Sequence, residues 1–377
     1  MRILYAAIDQ VIPGTTGGSV HVTAVAEGLA ALGHDVHVLA APGSSPFPDD
    51  HVHWIAMGPP LGMKELRWAR SRAVRQVAKL VQPEIIIERY YNFGGEGILA
   101  ARSIGARTVL EVNAPVIDYP GSPKALLDRA LVAEPMRRWR EQLCRRADLI
   151  VTPTAAILPA GTPRSKVLEL EWGADTERFR PDVTEPAPFA RPPGTVALFA
   201  GAFRKWHGAI HLAAALRTLH QRGKPVSAVF VGDGPELPAV RAAAEGLPNM
   251  VFTGPLPHDR MPAALASADI GVAPFDLAAH APLTLGFYWS PLKIFEYMSA
   301  GLPVVAPRAG RLPDLVGDSQ EGVLYDSPEA LADALERLLD PTLRQRLGHA
   351  ARERAVREYS WSAHCRALDR AMRGLPS

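Results

Sequence analysis

The sequence predicts two doubly wound parallel-sheet α/β domains with a cleft between them, and three observations carry that expectation. Short apolar, β-prone runs alternate with helical periodicity along the whole chain. The alternation breaks over residues 178–194, where Pro181, Pro186, Pro188, Pro192, Pro193 and Gly194 rule out helix or central strand, and then restarts. A length of 377 residues is also too great for one comfortable core. The expected division is residues 1–183 and residues 184–359, with 360–377 packing back on the first domain. Clefts between such domains are where small ligands bind.

Taken in order, residues 2–8 read as a buried strand, followed by a loop holding Pro13, Gly14, Gly17 and Gly18. Residues 21–32 have helical periodicity, Gly33 stops it, and 35–40 read as a second strand. Gly17 and Gly18 would let the backbone come close to a ligand, beside the free N–H groups of a helix starting near Ser19. A plain turn explains the same glycines. The loop has neither a Gly-Lys-Ser/Thr nor a G-x-G-x-x-G pattern, so it is not a nucleotide-hydrolysing or dinucleotide loop. In 64–80, Lys64, Arg67, Arg70, Arg72, Arg75 and Lys79 interleave with Leu66, Trp68, Val74, Val77 and Leu80. This pattern fits an ordinary surface helix with a solvated basic face, or one lying on anionic membrane.

Further strands are expected at 84–88, 107–112 and 148–152. After the proline-rich segment they recur at 195–200, 226–231, 250–252, 270–273 and 303–306. A helix is expected over 207–221, and amphipathic helices close the chain at 328–339, 342–358 and 362–372.

Composition excludes several classes. The formal charge is +2, too little excess for nucleic-acid backbone binding. No run approaches the roughly 20 apolar residues of a membrane span, and the opening residues turn polar too soon for a secretory signal. The expectation is a soluble, cytoplasmic protein. Cys144 and Cys365 have no CxxC partner and read as reduced thiols, with no metal or disulfide implied. There is no H-E-x-x-H, no Asp-x-Asp and no G-x-S-x-G, and the twelve histidines are scattered.

The informative stretch is 287–306. Ser290 reads as an N-cap and Pro291 as the first helical residue, with Leu292 following. Gly301 and Pro303 end the helix. Lys293 in the first turn is electrostatically misplaced unless an anion sits there, and a phosphate suits it. Glu296, one turn on, is placed for hydroxyl groups attached to that phosphate. A helix-surface pair between Lys293 and Glu296 is the competing explanation. The turn 201–208 also follows a strand and opens a helix, so Arg204 with Lys293 could clamp a diphosphate.

These residues carry a resemblance. The turn 201–208, Val231-Gly232-Asp233-Gly234-Pro235, Phe252-Thr253-Gly254, the segment 268–274 and the segment 296–306 resemble the family 4 retaining glycosyltransferases of GT-B fold. So do Gly17-Gly18, Leu32-Gly33-His34-Asp35-Val36 and the segment 172–181, so the likeness covers nearly the whole chain. It implies a nucleoside-diphosphate sugar as co-substrate, a UDP-sugar first among them, held mainly by the second domain. No cofactor and no metal are implied. The acceptor, a sugar or glycoside hydroxyl, would be held mainly by the first domain. Glu296 would hold the ribose hydroxyls, Arg204 and Lys293 the diphosphate, and backbone from Gly254 to Leu256 the base. Gly17, Gly18, His207, Gly232, Tyr288, Ser290, Pro291 and Leu292 would complete the donor site. Retention is thought to proceed by front-side departure, the donor phosphate taking the acceptor proton. The chain departs from the family pattern at His207 and Ala202, where lysine and arginine are frequent. It departs again at Tyr288, where a glutamate usually touches the donor sugar, and at Asn113, where histidine is frequent. A sugar-nucleotide epimerase, a sugar phosphorylase of the same architecture and a donor-binding module without turnover share the same features. Peripheral contact with the inner membrane surface through 64–80 belongs to the same set of expectations.

Overall fold

A computed structural model describes residues 1–48, 51–130 and 134–375. The chain forms two compact units. The first contains Met1–Trp172, Tyr288–Ser290 and the segment from Trp361 onward; the second contains Gly173–Phe287 and Pro291–Ser360.

In the first unit, β1 (Arg2–Ile12), β2 (Asp35–Pro42), β3 (Val52–Ala56), β4 (Ile85–Arg89), β5 (Arg107–Glu111), β6 (Leu149–Thr152) and β7 (Val167–Glu169) form one sheet. Its order is β3-β2-β1-β4-β5-β6-β7, with every pairing parallel. Ile3, Tyr5, Val36, Val38, Ile85 and Ile87 are buried on the sheet with Val22, Val25 and Leu29 of the helix Gly17–Ala31. Cys365, Leu368 and Met372 of the closing helix Trp361–Arg373 complete that core.

The second sheet comprises β8 (Val196–Ala200), β9 (Ser227–Val231), β10 (Met250–Gly254), β11 (Ile270–Val272), β12 (Val304–Pro307) and β13 (Gly322–Tyr325). Its order is β10-β9-β8-β11-β12-β13, again all parallel. Phe199, Phe203 and Phe230 fill its centre against Leu212 and Leu216 of the helix Ala209–Gln221. In each sheet the strand order reverses next to the first strand of the unit, between β1 and β4 and between β8 and β11. A doubly wound sheet opens its ligand crevice there, beyond the carboxyl ends of the strands.

Three details correct the sequence reading. The chain leaves the first unit at Trp172, ahead of residue 183. Arg352 binds the carbonyls of Thr176 and Phe179 at 2.8 Å, and Ala174 N–H donates to the Tyr359 carbonyl, so this stretch is fastened to the second unit. Strands β3, β7 and β13 were not expected; they are three to five residues long, too short to show a period. The basic stretch is also not one helix. Lys64–Arg70 is 3₁₀ and Ser71–Val81 is α-helical, and Arg67 is fully buried rather than on a basic face. No helix among the described residues is long and apolar enough to cross a membrane.

Candidate functional site

In the second unit the site is built on glycine close packing at the ends of β8, β9 and β10. A Cβ on Gly232 would lie 2.0 Å from the Gly201 carbonyl oxygen, and one on Gly201 would lie 2.8 Å from Lys293 Nζ. Both residues have positive φ, so the loops can pack backbone to backbone only without side chains. Gly232 N–H donates to the Gly254 carbonyl at 2.9 Å, tying the three strand ends together. Leu256 follows, half-buried.

Lys293 lies in the first turn of the helix Leu292–Ser299. Its side chain runs inward, with Nζ 4.6 Å from the Phe199 ring centroid and 5.2 Å from that of Phe275. The ammonium is buried and has no hydrogen-bond partner among the described residues. Burial pushes its pKa down to about 7, although Glu296 acts in the opposite sense. The competing explanation, a Lys293–Glu296 pair, is not seen among the described residues; Glu296 instead accepts His258 Nε2 at 3.0 Å. His207 hydrogen-bonds through Nδ1 to the Ala202 carbonyl, and burial and Lys293 hold it down to about 3, so the ring is neutral at physiological pH. Arg204, in the same turn, is exposed.

Ser290 does not cap the helix. Its hydroxyl donates to Glu171 Oε2 at 2.5 Å and accepts the Trp172 N–H at 3.0 Å, both within the first unit. Pro291 precedes the helix rather than starting it, and its carbonyl accepts the Ile294 and Phe295 N–H groups. The amides of Leu292 and Lys293 are therefore the open donors of that turn. Uncapped amides beside an unpaired buried ammonium form a site suited to an anion.

The first unit answers the sequence reading differently. Thr16 caps the helix Gly17–Ala31 by accepting the Ser19 N–H. The space a Gly18 side chain would need holds Gln10 Oε1 and Arg89 Nη2, while a Cβ on Gly17 would lie 3.5 Å from the Trp172 ring. Asn113 accepts the Trp172 indole N–H at 2.9 Å and donates to Glu111. Glu111 also receives Arg89 Nη1 at 2.8 Å and the Tyr5 hydroxyl. His21 Nε2 lies 2.8 Å from Glu111 Oε1 without aligned hydrogen-bond geometry, and because burial lowers the His21 pKa the contact is ionic only when the ring is protonated. Burial alone would raise the Glu111 carboxyl, but His21 and Arg89 outweigh it and hold it well below the usual carboxylate range. Sequence reasoning missed this network apart from Asn113. Its signal was a charged residue closing each of two apolar strands, since the register sets Arg89 opposite Glu111.

A second network surrounds Arg67, which binds Asp9 Oδ1 and Glu96 Oε1 at 2.7 Å each and lies 3.6 Å from Glu88. Burial and Glu96 push Glu88 up to about 8. Tyr288 is also in the first unit, buried, and pushed up to about 12 by burial and by Tyr119. The structure thus groups Gly201, Arg204, His207, Gly232, Gly254, Lys293 and Glu296 in one unit. Gly17, Gly18, Asn113, Tyr288 and Ser290 lie in the other.

Comparison with known proteins follows the same division. A family model described as Glycosyltransferase Family 4 matches residues 15–159, and one described as Glycosyl transferases group 1 matches residues 194–341. A GDP-mannose-dependent alpha-mannosyltransferase of Corynebacterium glutamicum is 26% identical, covering 98% of this chain and 87% of that protein. A sulfoquinovosyl transferase of Arabidopsis thaliana is 29% identical over 78% of this chain, which spans only 56% of that longer protein. Among solved structures, the Anabaena HepE protein in complex with UDP-glucose matches with a TM-score of 0.71 at 19% identity, over 100% of each chain.

Proposed function

The chain belongs to the family 4 glycosyltransferases of GT-B fold, and from that premise we propose that it transfers a sugar from a nucleoside diphosphate to an acceptor hydroxyl, with retention and without a metal. The observation that carries this reading is the buried Lys293 ammonium, without a hydrogen-bond partner among the described residues, at an uncapped helix start. A diphosphate would supply the missing counter-charge.

In this reading the second unit holds the donor and the first the acceptor. Arg204, Lys293 and the amides of Leu292 and Lys293 neutralise the leaving diphosphate, the task a metal would otherwise perform. Glu296, with Oε1 engaged by His258, keeps Oε2 for a ribose hydroxyl. The base rests on backbone from Gly254 to Leu256. The acceptor oxygen bonds the anomeric carbon on the face from which the phosphate oxygen departs, and that oxygen takes the acceptor proton. GDP-mannose in the name of one relative and UDP-glucose in a structural neighbour support a nucleotide-bound hexose as donor. The reaction is cytoplasmic. Leu80, 84% exposed beside the exposed Arg72, Arg75 and Lys79, supports peripheral contact with an anionic membrane surface.

The test is a panel of UDP- and GDP-sugars, followed by kinetics with the preferred donor. Lys293→Ala and Arg204→Ala should each lower kcat/KM by about 100-fold or more. Chelator should leave the rate intact, and anomeric proton couplings should show a retained linkage. Normal rates in both folded variants would remove the clamp, and an inverted product would remove the mechanism. Salt-sensitive co-sedimentation with anionic vesicles should be seen; its absence points to a soluble acceptor.

A further inference from the structure

Three donor groups at the β2–β3 edge of the first unit take no part in the reaction proposed above. Parallel pairing sets His37 opposite His53, and the two-residue period of a strand puts Asp35 on the same face as His37. The two imidazoles stack, with centroids 4.6 Å apart and planes inclined by 25°. Both present Nε2 to one carboxylate oxygen: Asp35 Oδ1 is 3.0 Å from His37 Nε2 and 3.5 Å from His53 Nε2. The other oxygen, Oδ2, is held by Arg2 Nε at 3.1 Å. One ligand atom from each of the three residues falls within 4.8 Å of the others.

With metal–ligand bonds of about 2.0 Å, a tetrahedral site separates adjacent donors by roughly 3.3 Å, a value between the two separations here. The donor set narrows the ion. Two imidazoles and one carboxylate suit zinc and its neighbours, whereas magnesium and calcium take oxygen ligands. The Arg2 contact orients the carboxylate as an outer partner does in metal sites. The His53 side chain is 65% exposed, so an ion can arrive from solvent and keep water in its fourth position.

We propose that Asp35, His37 and His53 bind one divalent transition-metal ion of the zinc class, clipping the edge strand β3 to β2. None of the three belongs to the donor or acceptor residues, so the ion stands outside the sugar transfer. The test uses the full chain without an affinity tag, stripped with chelator and titrated with zinc chloride in a calorimeter, with magnesium as control. One zinc per chain at micromolar affinity is expected, with no magnesium binding and a rise in Tm on adding zinc. His37→Ala/His53→Ala and Asp35→Asn should each weaken zinc binding by at least about tenfold. Cobalt should give the visible absorption of a tetrahedral site in the unmodified chain only. Zinc binding of unchanged affinity in both variants, or none at millimolar zinc, overturns the assignment.

Discussion

The two strand-order reversals handle buried charge in opposite ways. Among the described residues of the first unit, the buried cations face carboxylates: Arg89 meets Glu111, Arg67 meets Asp9, Glu88 and Glu96, and Arg140 meets Asp118 and Asp128. In the second, the Lys293 ammonium is buried among aromatic rings with no hydrogen-bond partner among the described residues. A buried ionic network that satisfies itself holds a shape, because removing one member strands the others. A buried ammonium left unpaired lowers the stability of the free protein and gains most when an anion arrives. The first unit therefore reads as a preformed frame and the second, in the proposed reaction, as a charge held ready for its ligand.

Breaking the frame should produce the largest effect. Arg67→Met leaves Asp9, Glu88 and Glu96 buried without their cation, and should cost about 3–5 kcal/mol. Urea unfolding measures it; a loss below about 1 kcal/mol would show that the carboxylates simply take up protons and that the network holds little.

Lys293→Met should act with the opposite sign on the free protein. Between pH about 7, the lowered value, and the ordinary 10.5, the unfolded chain binds more protons at this residue than the folded one. Stability from this group therefore rises with pH across that window, by up to about 1.4 kcal/mol per unit. The slope should vanish in Lys293→Met, which should also be more stable than the unmodified chain at neutral pH while losing the Tm rise given by a nucleoside diphosphate. Parallel pH profiles for the two proteins would mean that the ammonium is solvated and the contrast between the units is false.

The smallest expected effect sharpens the contrast from the side of the first unit. Tyr288 offers one hydroxyl and an apolar face where a carboxylate would accept two hydrogen bonds. Tyr288→Glu should shift donor preference toward a fully hydroxylated hexose, by at most about 1.5–3 kcal/mol, read from the ratio of kcat/KM values. An unchanged ratio would leave Tyr288 as packing within the first unit.

Periodicity and turn chemistry in the sequence by themselves determined the alternating α/β architecture, the restart after the proline-rich segment, and most strands to within a few residues. These are local properties: an apolar run, a glycine stop and a helical period are written in neighbouring residues. The anomaly at Lys293 was legible for the same reason, since a cation in a first helical turn violates a local rule. Tertiary structure alone decided where side chains go. Ser290 looks like a cap in sequence, yet its hydroxyl goes to Glu171 and Trp172, more than a hundred residues away. Arg67 reads as surface charge until Asp9, Glu88 and Glu96 surround it. Gly18 is one of two neighbouring glycines in sequence, yet a side chain there would meet Gln10 and Arg89. His37 and His53 are two scattered histidines until strand register makes them opposite partners. Each of these depends on a pairing between distant segments, and strand register is set by burial across the whole sheet, which no local window contains.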